Sequence, residues 1–315
     1  MLTRLLALHD PSMVRVLRRQ NVDVVFGPLL AHRYWRIPSI VWLPDFQHIH
    51  LPHLFSEAEL IERDRVLLQC ARAASRVVVM SHAVRQDVES FAPMYAHKVR
   101  VVHPVSYVPE SIYLGDLDSV LRLYHLPKKF VYLPNQFWKH KNHEVVFRAV
   151  KILQDRGIAL SLVCTGSPLD YRHPTFFPNL LRQVSRWGIR DRIIYLGLVP
   201  HDHVLLLMRQ SLCVVNPSLF EGWGLTAAEA QSVGKRVVLS DIAAHREQNP
   251  PKATFFDPKD CEDLADKLAN IWHEARPGPD LQLESEARDR LPHRLRAAGE
   301  QFMSLAREAL EDVRS

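Results

Sequence analysis

The chain has 315 residues, of which 47% are hydrophobic and 24% are charged, and this is the composition of a soluble globular protein with room for two domains. No apolar run approaches the ~20 residues of a membrane-spanning helix, which argues against an integral membrane protein. The net charge of +5 suits anionic small molecules or lipid surfaces, and no recognised nucleic-acid-binding motif accompanies it.

The first third of the chain alternates predicted strands and helices. Residues 1–20 are predicted to be helical in two pieces, because Asp10-Pro11 interrupts the pattern and proline fits only the first turn of a helix. Helices are predicted over Ser56–Ala74 and Ser81–Phe91. The β-rich runs around them are Val22–Phe26, Ser39–Leu43, Arg76–Met80 and Val99–Val102. This alternation predicts a doubly wound parallel sheet, so we assign residues 1–107 to a first α/β domain.

Polar residues follow the second predicted strand of this domain. Ligands of open α/β sheets bind beyond the carboxyl ends of the strands, so Asp45, Gln47 and His48 are candidate cleft residues. Alternatively, His48, His50 and His53 form a metal cluster or are plain loop residues. Their spacing matches no standard zinc site, so a loop without metal is the preferred interpretation.

A second α/β alternation fills residues 128–280, after a predicted linker at 108–127 with a short helix near Asp118–Tyr124. The predicted strands are Phe130–Leu133, Ser161–Cys164, Arg192–Leu196, Leu212–Val215, Arg236–Leu239 and Thr254–Phe256. The predicted helices between and after them are Asn142–Asp155, Asn179–Trp187, His201–Gln210 and Cys261–Glu274. The four cysteines lie far apart, which predicts buried free thiols in a reducing compartment.

The last segment, 281–315, is predicted to be a helix. Arg276-Pro-Gly-Pro-Asp280 separates it from the second domain. Phe302, Ala306 and Leu310 recur every four residues, so one face of this helix is apolar. Such a face is compatible with docking back on the first domain.

The stretch from Leu212 to Asp241 concentrates the candidate chemistry. A buried strand is followed by the loop Glu221-Gly222-Trp223-Gly224, then by a helix that begins near Thr226, with Gly234 at its carboxyl end. The two glycines let a ligand approach the backbone, and the helix N-terminus offers free N–H groups to phosphate.

Two carboxylates flank that phosphate-binding turn. Glu221 precedes it and Glu229 lies about two helical turns beyond, and a carboxylate can accept two hydrogen bonds from a vicinal diol. A nucleotide sugar, which has a diol at each end and phosphates between, satisfies all these groups. The alternative is an ordinary helix N-terminus with Glu229 as a solvated surface charge.

The full string, Pro217-Ser-Leu-Phe-Glu-Gly-Trp-Gly-Leu to Glu229-Ala and on to Gly234-Lys, resembles the donor-site signature of the retaining glycosyltransferases of family 4. The resemblance implies the GT-B fold, with two Rossmann-like doubly wound domains facing across a cleft. It also implies retaining transfer of a sugar from a nucleotide-diphosphate sugar to a hydroxyl acceptor, without a metal. In this family Glu221 would hold the transferred sugar and Glu229 the ribose. The backbone around the diphosphate would come from Gly222, Trp223, Gly224, Leu225 and Thr226.

Further family positions lie after two predicted strands. Lys141 matches the family's phosphate-binding lysine, while Gln136 stands where an arginine is usual and brings no charge, so Lys139 or an arginine from elsewhere would compensate. In the first domain a histidine of the family is replaced by Pro44. The resemblance then leaves Asp45 and His48 as the catalytic-side residues, together with Glu221 and Lys141.

The first domain is shorter than in the family. By resemblance, the first two or three βα units, including a glycine-rich turn, are missing. The alternative function is therefore a non-catalytic or partner-dependent nucleotide-sugar binder, and a GT-B epimerase or phosphorylase is a weaker one. The expected partners are a nucleotide-sugar donor and a glycan, lipid-linked or other hydroxyl acceptor, with no nucleic acid. The expected location is the cytoplasm, and the basic charge leaves open peripheral contact with the anionic inner face of a membrane.

Overall fold

The computed structural model of the protein describes residues 11–29 and 37–314, and the predicted helical piece over residues 1–10 lies outside them. The chain forms two compact units. The first comprises residues 1–104 and 295–315, and the second residues 105–294. The stretch 108–127, predicted as a linker, lies within the second unit and forms two short helices.

The described part of the first unit contains a four-stranded parallel sheet in the order β1-β2-β3-β4. Its elements are α1 (Pro11–Arg19), β1 (Val25–Pro28), β2 (Ser39–Trp42), α2 (Gln47–His50), α3 (Glu57–Ala73), β3 (Arg76–Val79), α4 (His82–Phe91) and β4 (Val99–Val101). The predicted strands are found, although β1 begins three residues later than its apolar run. Helix α3 begins at a capping box in which Ser56 and Glu59 exchange hydrogen bonds.

Both faces of this sheet are covered by apolar side chains. On one face Val41 and Val77 pack with Leu67 and Cys70 of α3. Ile40 and Val78 instead form a cluster with Leu305 and Ala309 of the C-terminal helix. A parallel sheet buried in this way needs strands that are apolar on both sides, which explains the continuous valine and isoleucine runs.

The second unit contains a six-stranded parallel sheet in the order β10-β9-β8-β5-β6-β7. Its elements are α5 (Glu110–Leu114), α6 (Leu117–Leu123), β5 (Val131–Leu133), α7 (His143–Asp155), β6 (Leu162–Cys164), α8 (Phe176–Arg186), β7 (Ile193–Tyr195), α9 (His201–Gln210), β8 (Val214–Asn216), α10 (Leu225–Val233), β9 (Val237–Ser240), α11 (Ala243–Gln248), β10 (Thr254–Phe256), α12 (Cys261–Glu274) and α13 (Leu281–Arg314). The final helix runs on past residue 294 into the residues that belong to the first unit.

The α/β class with two Rossmann-like parallel-sheet domains is therefore confirmed. Helices α7 and α12 pack on the second sheet, where Val146 and Leu268 join the strand residues in one buried cluster. Cys70, Cys164 and Cys213 are buried, and all four cysteines are free, as the sequence predicts. Within the described ranges no helix is long and apolar enough to cross a membrane.

The strand order places a topological switch point between β5 and β8. The chain runs outward from β5 through β6 to β7, then returns to β8 and continues in the other direction. The loops that follow β5 and β8 therefore leave neighbouring strands toward opposite faces, which opens a crevice at their carboxyl ends. These are the loops that carry Lys141 and Glu221.

Candidate functional site

The loops after β5 and β8 are joined by two hydrogen bonds, one between their backbones and one from a side chain. After β5 the chain makes a tight turn over Lys139–Lys141, and Asn142 adopts a left-handed conformation (φ 54°) before α7 begins. The Asn142 side-chain amide donates to the Pro217 carbonyl at 3.1 Å, and the Leu219 backbone N–H donates to the His140 carbonyl at 2.8 Å. These bonds hold the lysine-bearing turn against the glutamate-bearing loop.

Lys141 and Glu221 form an ion pair in this crevice. The Lys141 Nζ lies 2.6 Å from the Glu221 Oε1, and the two side chains are 22% and 11% exposed. The Ser218 hydroxyl lies 2.6 Å from the same carboxylate oxygen. Within the described ranges the other oxygen, Oε2, accepts no hydrogen bond. Glu221 is thus fixed through one oxygen and presents the second as an open acceptor.

The pKa of the Glu221 carboxyl shows that this acceptor is ionised. Burial alone would raise that pKa, but the positive charge of Lys141 and the hydrogen bonds from Lys141 and Ser218 lower it to about 2. Glu221 is therefore negatively charged throughout the neutral pH range. An ionised carboxylate can only accept hydrogen bonds.

A buried chain of polar side chains connects Ser218 to the start of α10. The Ser218 hydroxyl lies 2.8 Å from the Asn216 Oδ1, which also accepts from the Asn135 Nδ2 at 3.0 Å. The Thr226 hydroxyl donates to the Asn135 Oδ1 at 2.8 Å. Asn135, Asn216 and Ser218 are at most 3% exposed. Sequence reasoning missed these three residues, although polar residues where β5 and β8 end were a signal for them.

The glycine turn before α10 is shaped by helix α11, which sequence reasoning also missed. Gly224 has φ +93°, and a Cβ there would lie 3.1 Å from the His245 Nε2. His245 is fully buried and its Nδ1 lies 2.9 Å from the Ser240 carbonyl oxygen. The Gln248 amide donates to the carbonyls of Trp223 and Gly224. Only glycine fits at this position without displacing the buried histidine.

The turn leaves the start of α10 open to an anion. Gly222, Trp223 and Gly224 are buried, whereas Leu225 is exposed and Thr226 is half-buried. The helix has no side-chain cap and no acidic residue in its first turn. Its leading N–H groups and the positive end of its dipole are therefore available to a negatively charged ligand.

Glu229 lies further along α10, on the side of α9. Its Oε1 is 2.9 Å from the Nε2 of His201, and the two side chains are 21% and 61% exposed. This pair is much more open to solvent than that of Lys141 and Glu221. Gln136 is exposed as well, and its side-chain oxygen accepts from the Trp138 indole at 2.8 Å.

The loop after β6 packs beneath the loop after β5. Gly166 has φ +133°, and a Cβ there would lie 2.4 Å from the Asn135 carbonyl oxygen. The Phe137 N–H donates to the Ser167 carbonyl at 2.9 Å. The segment Thr165-Gly166-Ser167 is thus brought beside the candidate residues.

Asp45 and His48 lie in the first unit and have partners there. Asp45 accepts hydrogen bonds from the Arg63 guanidinium at 2.8 Å and from the Gln47 N–H at 3.0 Å. His48 is 2% exposed, and its Nε2 lies 2.9 Å from Asp64. His50 contacts a different carboxylate, that of Asp87, at 2.7 Å. The structure therefore gathers Lys141, Glu221 and the glycine turn in the second unit, and Asp45 and His48 in the first.

Several known proteins resemble this chain in sequence. The gpi3 subunit of phosphatidylinositol N-acetylglucosaminyltransferase from Schizosaccharomyces pombe is 22% identical over 275 residues, covering 83% of this chain and 56% of that protein. The lipopolysaccharide core biosynthesis mannosyltransferase LpcC of Rhizobium leguminosarum bv. viciae is 28% identical over 250 residues, covering 78% and 64% respectively. The chain spans between 24% and 56% of the length of the first three curated relatives that it matches.

The fold is shared with solved GT-B structures. HepE of Anabaena, solved in complex with UDP and glucose, superposes with a TM-score of 0.69 at 17% identity, covering 95% of this chain and 83% of that one. Sucrose-phosphate synthase from Thermosynechococcus elongatus superposes with a TM-score of 0.71 at 16% identity, covering 96% and 78%. At these identities the likeness concerns the fold alone.

The family is shown by a match to the model described as glycosyl transferases group 1. It covers residues 122–290, more than half of the chain, and includes both loops of the candidate site. This chain therefore belongs to the group 1 glycosyltransferases.

Proposed function

We propose that this chain is a retaining glycosyltransferase of family 4. It moves a sugar from a nucleotide-diphosphate sugar to a hydroxyl acceptor and does so without a metal. The observation that carries this proposal is the state of Glu221, an ionised carboxylate held through Oε1 by Lys141 and Ser218 with Oε2 left open. An open charged acceptor beside a cation and an uncapped helix start suits a ligand that joins hydroxyl groups to phosphates.

The diphosphate is assigned to Lys141 and the start of α10. A lysine ammonium has three donor hydrogens, and Glu221 takes one of them, so the others are free for phosphate oxygens. The N–H groups of Leu225 and Thr226 and the helix dipole add positive potential. Gln136 is a neutral donor on the neighbouring loop. These groups would stabilise the charge that develops on the departing diphosphate.

The transferred sugar is assigned to the open oxygen of Glu221. A hydroxyl of the sugar can donate to Oε2 while Oε1 stays fixed. As the bond to the diphosphate breaks, positive charge builds on the sugar ring and strengthens its attraction to the carboxylate. Such a contact is worth more in the transition state than in the ground state, which is the condition for raising kcat.

The nucleoside end is assigned to Glu229. Its position further along α10 suits the ribose hydroxyls, and His201 occupies only its Oε1. The two glutamates would thus bind opposite ends of one ligand.

The proposed transfer needs no protein nucleophile. The bond between the anomeric carbon and the diphosphate oxygen breaks, and the acceptor hydroxyl attacks from the same face. The departing diphosphate oxygen takes the hydroxyl proton. Asp45 and His48 are assigned to the acceptor side, and the names of the relatives suit a glycan or lipid-linked acceptor.

The test is a binding panel followed by turnover. The purified chain is titrated calorimetrically with UDP-glucose, UDP-N-acetylglucosamine and GDP-mannose, and each donor that binds is tested for hydrolysis and for transfer by NMR of the anomeric product. Lys141→Met should abolish binding. Lys151→Met, which removes a lysine paired with Asp155 on α7, should not. Binding of none of the donors, or an inverted anomeric product, would contradict the proposal.

A further inference from the structure

We propose that Ser218 is the positioning residue of Glu221, and that its hydroxyl, held at the end of the sheet, fixes which carboxylate oxygen meets the sugar. This inference rests on the proposed function. It goes beyond it by assigning a role to a residue that touches neither the diphosphate nor the reacting atoms.

The backbone of Ser218 is held in place by the neighbouring strand β9. Ser218 is fully buried two residues after the end of β8, and its carbonyl accepts from the Ser240 hydroxyl at 2.6 Å. Ser240 ends the neighbouring strand β9 and also contacts His245. The position of the Ser218 hydroxyl is therefore set by the backbone at the end of the sheet, because the serine side chain is short.

The Ser218 hydroxyl has two acceptors but only one proton. It lies 2.6 Å from the Glu221 Oε1 and 2.8 Å from the Asn216 Oδ1. A charged acceptor attracts a proton more strongly than a neutral amide oxygen does. Because Glu221 is ionised, Ser218 donates its proton to the Glu221 Oε1 and has none left to donate to the Asn216 Oδ1.

Lys141 cannot perform this task alone. Its ammonium also bonds Oε1, but it stands on a flexible side chain and is assigned to the diphosphate. When the lysine shares its charge with phosphate oxygens, its hold on Glu221 weakens. Ser218 keeps Oε1 in place at that moment, so Oε2 stays directed at the sugar.

This arrangement makes the loss of the hydroxyl a catalytic defect. Without Ser218, Glu221 can turn toward Lys141 and use either oxygen, so the contact with the developing charge on the sugar is weakened. A bare nucleotide has no transferred sugar and should not sense the change. A merely structural serine would instead lower the stability and leave the turnover of the folded protein unchanged.

The chain offers a matched control. Ser211 is also fully buried in the second unit, at the end of α9, and its hydroxyl donates to the Met208 carbonyl at 2.9 Å. Ser211→Ala removes the same atoms from the interior without touching the candidate site. Ser218→Cys keeps the side-chain volume with a weaker donor, and it serves if Ser218→Ala does not fold.

The experiment measures kcat and KM with the donors UDP-glucose, UDP-N-acetylglucosamine and GDP-mannose, and the Kd of bare UDP and GDP. Ser218→Ala should lower kcat about tenfold with the nucleotide Kd changed less than about twofold, and Ser218→Cys should fall between it and the wild type. If the kcat of Ser218→Ala equals that of Ser211→Ala, this inference is overturned but the proposed function is not. A nucleotide Kd that rises in proportion to the fall in kcat would overturn this inference too. If the wild type binds and turns over none of the donors, the proposed function fails and takes this inference with it.

Discussion

Two buried glutamates of the second unit form ion pairs of different kinds. Glu284 receives two hydrogen bonds from Arg209, with Nε and Nη2 each 3.0 Å from a different carboxylate oxygen. Glu221 has both of its donors on one oxygen. The side chains of Arg209 and Glu284 are 5% and 9% exposed and those of Lys141 and Glu221 are 22% and 11% exposed, so the first pair is closed and the second is open.

The surroundings of Arg209 explain why its pair is closed. The remaining guanidinium nitrogen donates to the Ile112 carbonyl, and the ring of Tyr113 lies 5.6 Å away. Burial and the charge of Glu284 raise the pKa of Tyr113 to about 12. Nearby, Lys235 donates to the carbonyls of Arg209 and Gly278, and burial lowers its pKa to about 8. All three nitrogens of the Arg209 guanidinium and both oxygens of Glu284 are thus used inside the protein.

The difference separates an ion pair that is complete within the protein from one that we propose to bind a ligand. A bidentate arginine–carboxylate pair satisfies both oxygens and leaves nothing for a ligand. At the switch point the Glu221 carboxylate keeps one oxygen that accepts no hydrogen bond from the described residues. The closed pair joins helices α5, α9 and α13, while the open pair lies where a parallel sheet binds its ligand.

The largest expected effect comes from breaking the closed pair. Arg209→Ala leaves Glu284 buried without its partner, which should lower the free energy of unfolding by about 3–5 kcal/mol. Urea unfolding followed by circular dichroism measures the change. Arg290→Ala is the matched control, because its pair with Glu286 on the same helix as Glu284 is exposed and should contribute little. Equal losses of unfolding free energy in the two variants would show that the closed pair does not stabilise the unit. The folded fraction of Arg209→Ala should bind nucleotide normally.

Breaking the open pair should affect catalysis more than stability. Glu221→Gln keeps the shape of the side chain but removes the charge that we propose to stabilise the sugar in the transition state. We expect kcat to fall about 100-fold while the Kd of bare nucleotide changes less than about threefold. Steady-state kinetics and calorimetry give the two numbers. Glu284→Gln should show the reverse pattern, with a loss of stability and a normal kcat for the folded fraction.

Much of the fold could be predicted because it depends on local pattern. His201–Gln210, Thr254–Phe256 and Cys261–Glu274 have the predicted bounds, since the signals for them lie in neighbouring residues: Pro200 precedes the first helix and Asp260 caps the second. Lys141 and Glu221 were singled out by the glycine turn and by family resemblance. The structure places them 2.6 Å apart although 80 residues separate them in sequence.

The features that escaped prediction depend on contacts between distant residues. Helix α11 has six residues, too few for a periodic signal, yet His245 and Gln248 shape the glycine turn from it. Arg209 and Glu284 are 75 residues apart, and nothing in either local sequence indicates a pair.

A smaller effect is expected at the exposed carboxylate of α10. If Glu229 holds the ribose hydroxyls, Glu229→Ala should weaken binding of both the nucleotide sugar and the bare nucleotide about tenfold, the cost of a charged hydrogen bond. Calorimetry with UDP and GDP measures it. Glu262→Ala, which removes an exposed glutamate of α12, is the control. Unchanged affinity of Glu229→Ala for the bare nucleotide would contradict the ribose role. An equally large loss of that affinity in Glu221→Gln would mean that the two glutamates are assigned to the wrong ends of the nucleotide sugar.

The smallest expected effect is that of removing divalent metal. A metal in such a site would bridge carboxylates to the diphosphate, but Glu221 already has Lys141 and Ser218 on one oxygen and is assigned to the sugar. The string Asp116-Leu-Asp118 has the Asp-x-Asp pattern, but Asp116 is bonded at the start of α6. It accepts from the Asp118 N–H at 3.0 Å and from Arg122 at 3.1 Å. Positive charge at the diphosphate should therefore come from Lys141 and α10.

We expect EDTA to change donor Kd and kcat by less than about twofold, since one ammonium and a helix start already provide the compensation. The matched variant is Lys141→Met, whose lost binding should not return with Mn²⁺. Activity that disappears with EDTA and returns with Mn²⁺ would show that a metal, and not the lysine, carries the charge.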